Sequence, residues 1–366
     1  MNEYPLLLRN TIRLAFAFLV VAALILARPL LVPLFLSIML AYLLFPYADW
    51  LEKHKIPRIA TNFIVVLGFI AIVTGIVAAI GTLSTNFTED FPKLKEQFET
   101  NIQSIFNAIG AYTGIYISGI DSLIDSLDKT GQYLSQLFAA TTNTLLSLGL
   151  IPVYTFLLLF YRDKFRDFIS MLIYTDQEEA AQNIIDQASE VVPKYLKGLV
   201  IVCFILMGLN SLGFYLIGLE YALLFGIIAA LFNLIPYLGT VLGYGVVLLF
   251  TLGTGTPGLA IPILIQFLIV QFLENNILTP NITGSYVQIN PLVIIFSLIA
   301  ASMIWGLPGM LIIIPYLGLF KIVCENVEDL KPIGFLLGTR GTERHAITIE
   351  SLQRRFGWLD KEEKEG

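Results

Sequence analysis

Charged side chains are scarce in this 366-residue chain, where Asp, Glu, Lys and Arg make up 14% of the sequence. About 25% is usual for a soluble protein. Hydrophobic residues make up 56%, and the mean hydropathy is +0.78. Apolar surface left in water costs roughly 25 cal/mol per Å², so this chain has too few polar residues to cover itself in water. The composition excludes an ordinary soluble globular fold and predicts a protein surrounded by lipid.

Histidine and cysteine are almost missing, with two residues of each. His54 and His345 fall outside the apolar runs, whereas Cys203 and Cys324 fall inside them, where a free cysteine behaves as a small hydrophobe. The sequence contains no HExxH, no GxSxG and no glycine-rich phosphate loop. We therefore expect no enzyme activity and no catalytic residues, no metal or other cofactor, and no disulfide.

Basic residues are outnumbered by acidic ones, 22 to 28, which gives a formal net charge of −6. Binding to nucleic-acid phosphates depends on clustered Lys and Arg, and the chain has no basic stripe of that kind. The composition thus excludes a nucleic-acid partner and leaves the lipid bilayer as the expected one.

Apolar runs are what the sequence has in abundance. About 18 or more apolar residues are needed to cross roughly 30 Å of hydrocarbon. The sequence predicts an all-α, polytopic helical membrane protein with about eight membrane segments, two of them broken or re-entrant, plus an extracytoplasmic helical insertion. The apolar regions are residues 12–27, 30–51, 60–83, 143–161, 198–218, 221–252, 258–278 and 291–323.

Basic flanks of the apolar regions indicate the orientation, because Lys and Arg in short flanks resist translocation. They precede the first region and follow the second and the fourth. No small-residue cleavage site follows the first region, which we therefore interpret as a retained span rather than a signal peptide. Eight crossings then place both termini in the cytoplasm. The flanking residues are Arg9 and Arg13, then Lys53, Lys55 and Arg58, and finally Arg162, Lys164 and Arg166.

Two polar segments show helical periodicity. Residues 86–140 are predicted to form two amphipathic helices outside the membrane, joined near residues 110–119. Thr175 and Glu178 have capping-box spacing and are expected to start an amphipathic helix at the cytoplasmic surface, bent at Pro193.

The expected organisation is N-terminal spans in residues 1–85, the extracytoplasmic helical region in 86–140, the fourth span with the cytoplasmic helix in 141–197, a transport core with broken helices in 198–330, and a cytoplasmic charged tail in 331–366.

The sixth and eighth regions are longer than a plain span requires, and each has proline and glycine near its middle. Both contain Ile-Pro-Tyr-Leu-Gly, at residues 235–239 and 314–318, with Gly226 or Gly306 roughly two and a half helical turns upstream. A worn internal repeat is one interpretation, and chance is the other. Interrupted helices at corresponding positions are typical of transporter binding sites, whereas kinks that only assist packing are the alternative. Each region either crosses once or re-enters as a hairpin.

The seventh region carries polar residues on an otherwise apolar helix, namely Gln266, Gln271 and Glu274. A carboxylate at the centre of a membrane helix costs at least about 2.5 kcal/mol, so it normally faces the bundle interior or a watery cavity. Solvation at the headgroup boundary is the alternative for Glu274, which lies near the helix end. Glu274 is the leading functional candidate.

These residues resemble the autoinducer-2 exporter family of bacterial membrane proteins. The stretch from Gln271 to Pro315 looks like its C-terminal signature, and residues 233–239 match its other typical motif. The resemblance implies a multispan permease of the bacterial inner membrane that forms a homo-oligomer, with a pentamer as one expectation, and that exports a furanone-type quorum signal. Asn290 departs from the family, since many relatives carry His before the proline, and an amide does not titrate.

The expected function is that of a secondary carrier or exporter for a small polar solute such as the autoinducer-2 signal. A Na⁺(Li⁺)/H⁺ antiporter of the same family is one alternative, so a monovalent cation is also a candidate partner. An oligomeric channel or a membrane scaffold is another. The residues predicted to line the pathway are Glu274, Asn275, Asn276, Gln271, Gln266, Asn233, Pro236, Tyr237, Gly239, Pro280, Gly284, Pro291, Gly306, Gly309 and Pro315.

Overall fold

A computed structural model of the chain describes residues 6–113, 145–172, 178–235, 238–254, 256–283 and 289–339. Every regular element in those ranges is a helix, which confirms the all-α prediction. Short 3₁₀ turns cover residues 257–259 and 328–330, and a π-helix covers Glu274–Thr283. The α-helices are α1 (Leu6–Leu26), α2 (Arg28–Lys53), α3 (Arg58–Thr113), α4 (Leu145–Phe160), α5 (Arg162–Leu172), α6 (Glu178–Ile217), α7 (Ala222–Phe232), α8 (Leu238–Gly253), α9 (Ala260–Leu273), α10 (Pro291–Trp305), α11 (Leu307–Asn326) and α12 (Lys331–Leu337).

Six helical segments of the described chain are long and apolar enough to cross a membrane. Four shorter apolar helices lie at residues 149–160, 222–232, 239–253 and 291–305. All eight predicted regions therefore coincide with apolar helices, and the chain is a multi-pass membrane protein. The count of eight crossings stays a prediction. The six long segments are Leu8–Leu26, Arg28–Lys53, Arg58–Leu83, Asn183–Ile217, Pro257–Ile282 and Leu307–Asn326.

The third span and the start of the expected external region form one helix. α3 runs for 56 residues without interruption, so the predicted helical structure after residue 86 is confirmed as far as Thr113, but this helix is not separate from the third span. A rise in polarity does not end a helix, and residues 93–100 include Lys, Leu, Glu and Gln, all of which favour helix. The second predicted external helix falls in residues 114–144, outside the described part.

The expected cytoplasmic amphipathic helix and the fifth span are also continuous. α6 runs for 40 residues and includes Pro193. Ala188, Val192 and Leu196 are buried at intervals of four, so one inward-facing stripe leads from the polar half into the span. That shared stripe explains why the helix does not stop at the membrane surface. Thr175, the predicted cap, lies outside the described residues.

The sixth region is a helical hairpin. A Cβ atom on Gly243 would lie 2.9 Å from the Ala229 Cα, and one on Gly239 would lie 1.8 Å from the Phe232 carbonyl oxygen. Residues later in α8 thus face residues earlier in α7, which is the antiparallel order of a hairpin. The predicted break is confirmed, since α7 ends at Phe232 and α8 begins at Leu238.

The eighth region is a second hairpin, but its break is not at Pro315. α10 ends at Trp305, and the next residue, Gly306, has φ +67° and ψ −145°. α11 then begins at Leu307 and continues through Pro315 to Asn326. A Cβ atom on Gly309 would lie 2.4 Å from the Ala301 carbonyl oxygen, so the two helices are in close contact. The repeated pentapeptide marks a break in one hairpin and a helix interior in the other, which contradicts its interpretation as a structural repeat.

The N-terminal helices α2, α3 and α4 share an apolar core that includes Leu40, Leu44, Val65, Val66 and Leu159. An ion-pair group, defined by Glu52, Arg58, Arg162 and Asp163, lies where these helices end. Arg162 donates to both oxygens of the Glu52 carboxylate at 3.0 and 2.5 Å. Arg58 contacts Asp163 at 2.7 Å. The basic flanks that predict the cytoplasmic side therefore also bind the three helices together.

The C-terminal helices form a second core around Phe214, Phe225, Tyr244, Val247 and Ile263. The break in the first hairpin reaches the second hairpin, because Ile235 is buried in one cluster with Leu298 and Ile314. The two helical hairpins are thus in contact at the point where the first one turns.

Hydrogen bonds connect the second hairpin to the N-terminal helices. Trp305 Nε1 donates to the Leu24 carbonyl and the Tyr316 hydroxyl to the Phe35 carbonyl, both at 2.9 Å. The ring of Phe35 lies between these two aromatic rings, with centroids 5.4 and 4.9 Å away. The N-terminal half therefore supports the second hairpin rather than the first at this point.

Candidate functional site

Four polar side chains meet where the first hairpin turns against the end of α9. Asn233 Nδ2 donates to Glu274 Oε1 at 2.6 Å, and Gln271 Nε2 lies 3.5 Å from Glu274 Oε2. Thr240 donates its hydroxyl to Asn233 Oδ1 at 2.8 Å. We call Asn233, Thr240, Gln271 and Glu274 the Glu274 cluster. Both oxygens of the carboxylate face neutral amide donors.

The backbone of the hairpin turn brings Asn233 to this position. Beyond Phe232 the chain tightens, because the amides of Leu234 and Ile235 donate to carbonyls three residues back at 3.2 and 2.9 Å. Gly239 then lies against the Phe232 carbonyl, where any Cβ atom would clash. The turn places Asn233 at the end of one arm and Thr240 at the start of the other. Gly239, a predicted site residue, therefore acts through its backbone.

Glu274 begins a π-helix that the sequence did not reveal. Residues 274–283 follow α9 directly with π-helical hydrogen bonding, a geometry that is rare and frequent at functional sites. Asn276 Nδ2 donates to the Phe272 carbonyl at 2.9 Å and Asn281 Nδ2 to the Ile277 carbonyl at 2.7 Å. These side chains occupy carbonyls four residues back. The amide of Pro280, inside this segment, cannot donate at all.

The Glu274 carboxylate has no basic partner within the described part of the chain, since none of the ion pairs found there includes it. An uncompensated charge at membrane depth is unfavourable in a low dielectric. Amide donors offset that penalty less than an ammonium or guanidinium group does. The site therefore favours the approach of a proton, a cation or a hydrogen-bond donor to Glu274.

Gln266 lies in a second group of polar side chains. Its Nε2 donates to the Asn210 backbone carbonyl at 3.2 Å, and the Tyr244 hydroxyl donates to Asn210 Oδ1 at 2.6 Å. All three residues are buried. Gln266 lies on α9, and Glu274 follows eight residues later as the first residue after this helix. The structure thus places two of the predicted polar positions along α9 and its direct continuation.

Three site residues were missed in the sequence, namely Thr240, Tyr244 and Asn210. Asn210 is the one amide residue in the apolar region 198–218 and is, like Gln266, a polar residue on an otherwise apolar helix. Thr240 and Tyr244 are four residues apart on α8, a spacing that puts them on one helix face. A search for polar residues across all spans, rather than near prolines, would have found them.

Several predicted pathway residues lie elsewhere. Asn275 and Asn276 are exposed, as is Pro280. Pro291 starts α10 beside Asn290, whose side chain accepts from the Leu292 amide at 3.0 Å and thus caps that helix.

The second hairpin contributes packing residues. Gly309 contacts α10, Pro315 is buried within α11, and a Cβ atom on Gly306 would lie 3.5 Å from Arg28 Nη2. No hydrogen bond between described residues joins these three positions to the Glu274 cluster. Pro236, Tyr237 and Gly284 fall outside the described residues.

Apolar helices long enough to cross a membrane, an interrupted helical hairpin and a carboxylate held by amides are together typical of a polytopic helical protein of the solute-transporting class. The chain belongs to the AI-2E family of transporters, whose family model matches residues 14–329. This match confirms the resemblance inferred from the motifs and runs from within α1 to within the turn before α12.

Relatives in several bacteria align with most of the chain. YrrI of Bacillus subtilis is 25% identical over 312 residues, which are 81% of this chain and 86% of that protein. YueF of the same organism is 27% identical over 312 residues, 81% of this chain and 84% of that protein. Both are named as transport proteins, and neither name states a solute. TqsA of Escherichia coli, named an AI-2 transport protein, is 23% identical over 342 residues, 92% of this chain and 97% of that protein.

Proposed function

We propose that this protein is a secondary carrier that exports a small polar solute, with the Glu274 cluster as its binding position. The carboxylate held between the hairpin break and the end of α9 is the observation that carries the proposal. A group bound there would contact Asn233 on one element and Glu274 on another. Movement of the hairpin would therefore change the binding position directly.

The lengths of the hairpin arms support re-entry rather than crossing. α7 has 11 residues and α8 has 16, or roughly 16 and 24 Å, whereas the hydrocarbon core is about 30 Å thick. Neither arm spans the membrane alone, and the two pack antiparallel. We infer that both arms enter from one side and that their turn, with Asn233, lies within the membrane.

The base of the first hairpin is tied to the extension of α3. Asn101 Nδ2 donates to the carbonyl of Gly253, the last residue of α8, at 2.9 Å. The basic flanks of the apolar regions predict that this part of α3 lies outside the cytoplasm. We therefore propose that the first hairpin enters from the external side. If the second hairpin also re-enters, the C-terminus remains cytoplasmic.

Autoinducer-2 is the first solute to test, because TqsA is named for transport of AI-2. Glu274 and the amides of Asn233 and Gln271 would hold the hydroxyl groups of such a solute, since they offer both acceptors and donors. Protonation of Glu274 would remove one acceptor and release the solute. Assembly as a homo-oligomer in the bacterial inner membrane belongs to the same proposal.

Flux measurements in proteoliposomes test the proposal. Wild-type protein should give saturable autoinducer-2 efflux that responds to an imposed pH gradient. Glu274→Gln should reduce the flux at least tenfold and abolish its pH response, because an amide does not titrate, whereas Asn276→Gln should behave as wild type. An unchanged pH response in Glu274→Gln would remove this residue from the mechanism. Ohmic current without saturation would indicate a pore instead of a carrier.

A further inference from the structure

Gln266 has a buried acceptor atom that nothing in the described structure satisfies. Its side chain is 8% exposed, and its Oε1 has no hydrogen-bond partner, whereas its Nε2 donates to the Asn210 carbonyl. The amide cannot be flipped, because its oxygen would then face a carbonyl oxygen. A buried acceptor without a donor costs about 1–3 kcal/mol. An O–H group placed beside Oε1 would remove that penalty.

The two polar residues beside Gln266 are themselves buried and bonded to each other. Asn210 and Tyr244 are each 3% exposed, and the hydrogen bond between them at 2.6 Å occupies the Asn210 side-chain oxygen. The rings of Phe214 and Phe267 flank Tyr244, with centroid distances of 5.6 and 4.9 Å. The Tyr244 hydroxyl, already bonded to Asn210, is thus packed among aromatic rings, and Gln266 Oε1 receives no donor from the described residues.

Gly213 makes room for the Gln266 amide. A Cβ atom at Gly213 would lie 2.3 Å from Gln266 Nε2 and 2.5 Å from its Cδ, so the amide lies directly on the backbone of α6. Gly208, on the same helix, has nothing within 4 Å of such an atom. The position of the Gln266 amide therefore depends on the absence of a side chain at residue 213.

The polar residues beside α8 and α9 form two groups. Thr240 belongs to the Glu274 cluster, and Tyr244 belongs with Gln266. At 1.5 Å per residue, Tyr244 lies roughly 6 Å beyond Thr240 along α8, and Glu274 lies roughly 12 Å beyond Gln266 along the direction of α9. A solute leaving the Glu274 cluster in the direction of Gln266 would meet the second group next.

We propose that Gln266, Asn210 and Tyr244 form a second polar binding position that takes one O–H donor. This donor is a water molecule in the resting protein and a hydroxyl group of the solute during transport. A metal cation fits poorly, because such ions take several oxygen ligands, and among these three residues Gln266 Oε1 is the one buried side-chain oxygen that makes no hydrogen bond. The solute part of the proposal rests on the proposed function, whereas the water part does not.

Radiolytic hydroxyl-radical footprinting in nanodiscs, without any solute, tests the water part. Radicals formed from an ordered water modify the side chains beside it. Rates are normalised to the intrinsic reactivity of each side chain, and on that scale Tyr244 should be modified faster than Phe214, which is buried in the same core. Gln266→Met and Gly213→Ala should lower the Tyr244 rate to that of Phe214, and Gly208→Ala should leave it unchanged. Equal rates at Tyr244 and Phe214 in the wild type would overturn the proposal.

Autoinducer-2 flux tests the solute part. Gln266→Met and Gly213→Ala should each raise the KM at least fivefold and change the maximal rate by less than about twofold. Val270→Met, which changes another buried residue on the same face of α9, is the matched control. An unchanged KM in both variants would overturn the solute part. Absence of flux in the wild type would contradict the proposed function, while the footprint alone would still decide whether the second position exists.

Discussion

The Asn233 side chain donates a 2.6 Å hydrogen bond to Glu274, and this bond joins the turn of the first hairpin to the first residue of the π-helix. Both residues lie at the end of an α-helix rather than within one. Helix ends can shift without disrupting a full ladder of backbone hydrogen bonds. The contact between the two residues is therefore able to open while α7, α8 and α9 stay intact.

Loss of the Asn233 amide should impair transport strongly. Asn233→Ala removes a hydrogen bond to a carboxylate, which is worth about 1.5–3 kcal/mol and corresponds to roughly a 10- to 100-fold lower kcat/KM for the solute. Asn276→Ala, whose amide contacts only its own helix, should remain within about twofold of wild type. Flux in proteoliposomes at matched protein density measures both. Equal activity of the two variants would exclude Asn233 from the binding position.

Packing of α6 against α7 should depend on Gly226. A Cβ atom at this position would lie 2.2 Å from Ser211 Oγ and 2.5 Å from the Ser211 backbone nitrogen, so the two helices must separate. Gly226→Ala should lower the free energy of unfolding by about 1–3 kcal/mol. Gly245→Ala, with open space around it, should instead raise this free energy by about 0.5–1 kcal/mol. Titration with SDS in mixed micelles measures both changes.

The ion pair between Glu52 and Arg162 should stabilise the N-terminal bundle. Both side chains are 19% exposed and form two hydrogen bonds, so Glu52→Gln should lower the free energy of unfolding by about 1.5–3 kcal/mol. Asp49→Asn removes a pair whose lysine is 72% exposed and should change stability by about 1 kcal/mol or less. If the two variants unfold alike in the same titration, the pair contributes little.

The first hairpin should expose its base to the external side. In Thr254→Cys, a membrane-impermeant maleimide added to intact cells should label the protein, as it should label Ser104→Cys on the α3 extension. Lys164→Cys, on the predicted cytoplasmic side, should react only after lysis. The protein without an added cysteine is the background control, because Cys203 and Cys324 are both buried. Labelling of position 254 only after lysis would mean that the sixth region crosses the membrane.

Much of the architecture could be predicted because single-residue preferences determine it. Apolar runs located the apolar helices of the described residues, and the cluster of proline and glycine after Asn233 located the break between α7 and α8. The penalty for burying a carboxylate singled out Glu274, which the structure holds against Asn233 and Gln271. In each case a single free-energy term that depends on the local sequence dominates, so the prediction requires no knowledge of the tertiary structure.

The errors arose where proline or polarity was taken as the end of a helix. α11 continues through Pro315, because losing one backbone hydrogen bond does not break a helix that neighbours support on both sides, whereas the positive φ at Gly306 does. The partners Thr240, Tyr244 and Asn210 depend on which helix faces pack together. That packing is a tertiary property, which one sequence does not contain.

The unbroken length of α3 has a mechanical consequence. Its 56 residues measure roughly 84 Å, and the part beyond Leu83 accounts for roughly 45 Å of that length. A helix without a joint at the bilayer surface works as a lever, so a sideways force near Thr113 would pull at Asn101 and, through it, at the Gly253 carbonyl. A force applied to the end of α3 would therefore be transmitted to the base of the first hairpin.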